Sequence, residues 1–262
     1  MKRVVYSCVT GGYDNINLHK YIAEGWDYVY FTDNPELIAQ GRVGHWQIRP
    51  LAFDKLDNIR NSRWHKVNAD LLFPDYDASL WVDGNITINN NHIFQMADSY
   101  MTKDVVLAAP KHPQRDCAYD EAEAIKILGY DNPELVDAEM NLLKQEKYPQ
   151  HFGLTENNIM FRQHNRMSDA LRTWWNMIEN YSRRDQLSFN YACWLHHVPI
   201  TYLYDTPCIH FHNGDFSLVH NSNHNHGKKH FEWPYMVGKF ISLFIPKRAN
   251  RENFLKNHVR AK

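Results

Sequence analysis

The sequence predicts an α/β protein built on a largely parallel sheet, and three observations carry that expectation. Short apolar runs of strand length alternate with segments of helical period from the first residues to about residue 205. One run, "ASLWV" at 78–82, is apolar or small throughout, as a strand covered on both faces must be. No internal repeat or low-complexity linker divides the 262 residues, which predicts a single domain over 1–235 and a basic C-terminal tail over 236–262.

The elements follow in order. "RVVYSCVT" reads as a first strand and "GGYDN" as the loop after it. "WDYVYFTD" and "HWQIRPLAF" are the next two strands. "DNIRNSRWHKVNADLLF" has helical period, with Ile59, Val67, Leu71 and Leu72 roughly on one face and Asp57 or Asn58 near its start. The buried strand "ASLWVDGN" follows, and "NHIFQMADSYM" reads as a short helix capped by an Asn. "DVVLAAP" is a strand. "DCAYDEAEAIKIL", with acidic residues at its start, and "NPELVDAEMNLLKQEKY" are helices. "LTENNIMFR" is a strand, "MSDALRTWWNMIENY" and "RDQLSFNYACWLHHV" are helices, and "ITYLYD" is a late strand. The last 50 or so residues read as irregular, His- and Asn-rich, then basic.

Composition narrows the function classes. A hydrophobic content of 44% and a charged content of 23% are those of a soluble globular protein. A net charge of −1 argues against a general nucleic-acid binder. Aromatic residues make up 14%, which suits either an aromatic core or stacking against sugars or bases. Cys8, Cys117, Cys193 and Cys208 form no CxxC pair, so buried reduced thiols and a cytoplasmic setting are expected. The N-terminal apolar run is too short for a signal peptide, and no segment is long enough to span a bilayer.

Several motifs could carry chemistry. The loop at Thr10, Gly11, Gly12 and Tyr13 follows the first strand, where an open α/β sheet collects ligands; an ordinary tight turn fits as well. It is neither GxGxxG nor a P-loop. Asp33, at the end of the second strand, could accept from a base or a ribose hydroxyl, or simply form a turn before Asn-Pro. Arg60, Arg63 and Lys66 recur every three residues and could meet nucleotide phosphates or form a solvated helix face. In "SLWVDGNITI", Asp83 and Gly84 fit a hairpin turn, but the apolar entry and the short run after it favour Asp83 and Asn85 presenting oxygens from a buried strand end. Asp185 and Gln186 follow two arginines at a helix start, as an N-cap or as a compact substrate-holding cluster. His210 and His212 alternate at strand spacing, as metal ligands or as part of a His-rich surface loop that also holds His220, His224, His226 and His230.

Taken together, "YSCVTGGYDN", "YFTDNP", "SLWVDGNITI", "HPQRDCAYDEAEA", "GLTENNIMFRQHN" and "RRDQLSFNYACW", spread from about residue 4 to residue 213, resemble the glycosyltransferase-like domain of the plant mucilage-related family, which has bacterial members. More broadly the pattern is similar to the GT-A glycosyltransferases. The resemblance implies a GT-A-like (Rossmann-like) mixed, mostly parallel sheet flanked by helices. It also implies a nucleotide-diphosphate sugar donor. It places the nucleotide pocket at Thr10–Tyr13 and Asp33; the helix spacing noted above makes Arg60, Arg63 or Lys66 the candidates to neutralise the leaving diphosphate. Asp83 becomes a ligand of a divalent cation, Mn²⁺ or Mg²⁺, or of the ribose; Asn85 takes the second position of the metal motif, and His210 or His212 is the candidate for the remaining metal ligand. Asp185 and Gln186 fall where related retaining enzymes hold a catalytic carboxylate or carboxamide. The departure is Asn85, whose neutral oxygen stands where the family's metal motif has a second Asp and so weakens cation binding.

The expected activity is transfer of a sugar, hexosyl or related, to a saccharide or cell-envelope acceptor in polysaccharide biosynthesis. The acceptor would lie over Arg115, Asp116 and Glu121. The alternatives are a catalytically inactive nucleotide-sugar-binding protein on the same fold and a His-metal hydrolase built on the C-terminal histidines. The basic tail offers peripheral contact with the inner face of a membrane, against the reading of a solvated tail.

Overall fold

A computed structural model describes residues 1–206 and 209–219. The chain opens with β1 (Arg3–Val9) and β2 (Trp26–Thr32), then α1 (Pro35–Gln40), β3 (Arg42–Val43) and β4 (Trp46–Pro50). Next come α2 (Asn58–Val67), α3 (Ala69–Leu72), β5 (Ala78–Val82), β6 (Ile86–Ile88), α4 (His92–Thr102) and β7 (Leu107–Ala109). Then follow α5 (Ala118–Leu128), α6 (Pro133–Gln145), β8 (Ile159–Gln163), α7 (Ser168–Asn180) and α8 (Gln186–Leu195). The described chain ends with β9 (Thr201–Tyr202), α9 (Ile209–His212) and β10 (Phe216–Leu218).

The main sheet has the order β3-β4-β2-β1-β5-β8-β7-β9, and β10 pairs with β6 in a small second sheet. β4, β2, β1 and β5 run parallel, while β8 is antiparallel to β5 and to β7. This is the mixed, mostly parallel, helix-flanked sheet expected of a GT-A-like fold. Both faces are covered. Val5, Tyr28, Leu80 and Phe161 pack with Ile93, Phe94 and Ala97 of α4 on one side. Val4, Tyr6, Trp81 and Met160 pack with Trp174 of α7 and Phe189 and Ala192 of α8 on the other. Alternate residues of each strand serve the two layers, so most positions are apolar; Ser7, Ser79 and Arg162 are buried polar exceptions.

Three local expectations are corrected. The helix expected over 57–73 breaks at Asn68 into α2 and α3, and its inward side is not the apolar one. Ile59 and Leu71 are exposed, whereas Asn61, His65, Lys66 and Val67 are buried. The turn expected at Asp33-Asn-Pro opens a helix instead: Asn34 Oδ1 accepts from the amides of Glu36 and Leu37, Pro35 begins α1, and Gly41 ends it in the left-handed region. The Asn start expected for α4 is present: Asn91 is the N-cap residue, and Asn90 Oδ1, in place of the Asn91 side chain, accepts from the His92 amide. Finally, His210 and His212 lie in a helix, α9, and not in the strand their spacing suggested. Cys208, His220, His224, His226, His230, the boundary at 235 and the basic tail lie outside the described residues.

No helix among the described residues is long and apolar enough to cross a membrane.

Candidate functional site

The parallel strands deliver their carboxyl ends to one edge, and the charged residues converge there. Asp83 follows β5 directly. Two residues beyond Trp81, it projects on the same side of the strand, towards α2 and α8. Trp81 Nε1 donates to Asp83 Oδ1 at 2.6 Å, and the Asp83 amide bonds to the Asn158 carbonyl at 2.8 Å. The hairpin reading fails: β6 pairs with β10, not with β5. Gly84 is required there because a Cβ would collide with Val9 Cγ2 at the end of β1.

Behind Asp83 lies a buried ion cluster. Lys66 Nζ stands 3.4 Å from Asp83 Oδ1 and 2.8 Å from Asp185 Oδ2, and Arg63 Nε stands 3.3 Å from Asp185 Oδ1. Burial favours the neutral form of Asp185, but the Arg63 and Lys66 charges outweigh it and hold the carboxyl well below the usual range. Burial likewise draws Lys66 down, against the pull of Asp185 and Asp83. Asp185 makes no side-chain cap bond to α8, so its carboxylate serves the cations rather than the helix end. Gln186, next in the chain, is half-buried and donates to the Thr155 carbonyl at 3.4 Å.

The glycine loop borders this cluster. Asp33 Oδ2 accepts from the Gly11 amide at 2.7 Å, and Thr10 Oγ1 donates to the Asn58 carbonyl at 2.6 Å, so Thr10, Gly11 and Asp33 are held together at the start of α2. Gly11 and Gly12 both have positive φ. Burial and Asp14 raise the Tyr13 phenol while Arg184 and Arg63 lower it, which places Tyr13 within the field of the cluster.

Two further residues join the site: Arg184, one of the two arginines ahead of Asp185 in the sequence, and Glu156, which no sequence motif singled out. Arg184 adds positive charge beside Asp185 and Tyr13. Burial and the negative charge of Asp83 push the Glu156 carboxyl up to about 7. "TENN" at 155–158 carried no local signal for this; the antiparallel pairing of β8 with β5 brings it to Asp83.

Other expected residues lie elsewhere. Arg60 is committed to α7: Nε and Nη2 donate to the carbonyls of Ile178 and Tyr181 at 2.8 and 2.7 Å, and Nη1 pairs with Asp57 at 2.7 Å. Its expected place on a diphosphate is withdrawn. Arg115 Nε pairs with Glu121, which is buried and also lies 3.6 Å from His112 Nε2, so these two satisfy each other instead of facing an acceptor. Asp116 is exposed and bonds His151 Nδ1 at 2.7 Å.

The residues around Asp83 do not fit a divalent cation. One oxygen of Asp83 already takes the Trp81 N–H and faces an ammonium, which would repel a second cation. Asn85 adds only a neutral oxygen. His212 is exposed on α9, and the His210 side chain lies outside the described residues. Among the described residues, one group of three His, Cys, Asp or Glu side chains brings its ligand atoms within 4.8 Å of one another, and it is Cys117, Asp120 and His151.

A model of the family described as "TOD1/MUCI70, glycosyltransferase-like domain" matches residues 1–203. An Arabidopsis thaliana protein described as "Probable hexosyltransferase MUCI70" is 27% identical over 214 residues, covering 71% of this chain and 36% of that relative. The chain therefore spans little more than a third of the length of the curated relative it matches. Among solved structures, the apo structure of the bifunctional glycosyltransferase WbbM aligns at 12% identity and a TM-score of 0.46, over 77% of this chain and 38% of that one. The apo form of mouse xyloside xylosyltransferase 1 aligns at 9% identity and a TM-score of 0.44, over 77% of this chain and 84% of that one.

Proposed function

We propose, given that this chain belongs to the TOD1/MUCI70 glycosyltransferase-like domain family, that it transfers a hexosyl or related unit from a nucleotide-diphosphate sugar to a saccharide or glycoconjugate acceptor. The observation that carries this reading is the ion cluster of Arg63, Lys66, Asp83 and Asp185 beside the Thr10–Tyr13 loop, at the carboxyl ends of β1 and β5. The loop amides and Asp33 would receive the nucleoside. Arg63 and Arg184 would face the diphosphate, whose negative charge grows as the glycosyl bond to it breaks.

Asp83, the more exposed carboxylate of the pair, would face the sugar and the positive charge developing at its anomeric carbon. Lys66 and Asp185 are buried and act as positioning residues: each fixes the other, and together they hold Asp83 and Arg63. Gln186 stands beside them at the mouth of α8. The acceptor hydroxyl oxygen would form the new glycosidic bond and release its proton to Glu156, whose raised carboxyl suits a base working near neutral pH. No divalent cation enters the scheme at Asp83. The free, buried thiols of Cys8, Cys117 and Cys193 support a cytoplasmic setting. Synthesis of a polysaccharide, with the tail touching a membrane, belongs to the same reading.

The test is release of nucleoside diphosphate from a panel of nucleotide-sugars. Asp83→Asn should cut the rate about a hundredfold or more without lowering the melting temperature. Wild-type turnover by that variant would end the scheme. A second reading, a nucleotide-sugar-binding protein without transfer, is favoured by Asn85, which leaves the site without the second acidic ligand. It predicts saturable donor binding with no turnover for any acceptor.

A further inference from the structure

Away from the ion cluster, two chain segments bring together a thiol, a carboxylate and an imidazole. Cys117 precedes α5, Asp120 lies in its first turn, and His151 comes from the loop after α6. Their ligand atoms lie within 4.8 Å of one another. We propose that Cys117, Asp120 and His151 bind a zinc-type divalent cation, with a fourth position open to water or a substrate oxygen.

The donor set is the first reason. Thiolate, imidazole and carboxylate together suit a borderline-soft ion such as Zn²⁺ and not Mg²⁺ or Ca²⁺, which take oxygen ligands. Thiolate and carboxylate also balance the charge of a divalent ion. A helix N-terminus disfavours a bare cation, but it favours the two anionic ligands that α5 supplies.

The setting of His151 is the second. Its Nδ1 lies 2.7 Å from Asp116 Oδ1. With the Nδ1 proton donated to Asp116, Nε2 carries the lone pair that a metal needs, and the ring is held in one orientation. His151 is in the left-handed region, at φ 55°, a conformation uncommon outside glycine that histidine adopts more often than most residues. The Gly153 amide donates to the Asp116 carbonyl at 2.9 Å and fixes the same loop against the start of α5.

The position gives the site a role. Segments 110–116 and 153–156 run side by side, joined by Gly153 N to Asp116 O, His112 N to Leu154 O and Glu156 N to Pro110 O at 2.8–2.9 Å. The thiol, carboxylate and imidazole sit at one end of this ribbon. Glu156, beside Asp83, sits at the other. A bound ion would clamp the ribbon from the far end and steady Glu156.

The experiment uses the full chain, stripped with a chelator and titrated with Co²⁺. The wild type should bind one equivalent with a thiolate-to-metal charge-transfer band that Zn²⁺ abolishes. Cys117→Ser should lose the band, and His151→Gln, a surface change, should lose it while melting like the metal-free wild type. Asp116→Asn should weaken binding about 10–100-fold. The C-terminal histidines can take up the same ions, but imidazole alone gives no thiolate band. A wild type without the band, a band that survives Cys117→Ser, or His151→Gln binding as tightly as the wild type would each overturn the assignment.

Discussion

Lys66 Nζ lies 2.8 Å from Asp185 Oδ2, and both side chains are almost wholly buried. Removing one partner of such a pair strands the other's charge, at a loss of about 3–5 kcal/mol. Arg63 stays 3.3 Å from Asp185, so Lys66→Met should fall at the lower end of that range in urea unfolding. Adding Asp185→Asn should restore part of the loss. A Lys66→Met chain as stable as the wild type would mean that the two charges do not depend on each other.

Glu156 links pH to rate and to stability with opposite signs. If it takes the acceptor proton, kcat/KM should rise as pH passes about 7 and then level, and Glu156→Gln should remove the rise. Stability runs the other way. The folded carboxyl is raised from its ordinary 4.5 to about 7. Between those values the folded chain keeps a proton that the unfolded chain has released, so stability falls as pH rises through the window. Buried Glu139, also raised, contributes with the same sign. The Glu156 share is therefore the difference between wild type and Glu156→Gln. A rate profile flat across pH 7 would remove Glu156 as the base.

Arg60 should matter to the fold and not to the donor. It gives two charged hydrogen bonds to the C-terminal end of α7 and pairs with Asp57. Charge-assisted bonds of this kind contribute about 1.5–3 kcal/mol, and a loss in that range is expected for Arg60→Ala, with donor KM unchanged. A large rise in KM at full stability would return Arg60 to the diphosphate.

Gly84 couples packing to chemistry. Its missing side chain leaves room for Val9 at the end of β1, next to the most exposed carboxylate of the cluster. Gly84→Ala should lower stability by about 1–3 kcal/mol through overpacking. It should also reduce turnover, because relief of the collision moves Asp83 away from Trp81 and Lys66. Wild-type turnover by this variant would show that Asp83 tolerates displacement.

The order of strands and helices was legible in the chain because burial on both sheet faces leaves a local mark, an unbroken apolar run. The same mark located Asp83, where the run through Ala78–Val82 meets its first charge. Helix α1 was missed: its Asn-Pro start in "NPELIAQG" reads equally as a turn, and six residues with no buried side chain leave no apolar period to decide between them.

Which charges meet was decided only by tertiary structure. Arg60, Arg63 and Lys66 look equivalent at three-residue spacing, but each step turns about 60° around an α-helix. Arg60 and Lys66 therefore point about 120° apart, one to the carbonyls of α7 and the other into the ion cluster. Glu156 reaches Asp83 through strand pairing, and His151 reaches Cys117 through a returning loop. Apolar burial is periodic along the chain and can be read from it. Ion pairs and ligand sets depend on side chains that are distant in sequence and become neighbours only when the sheet is assembled.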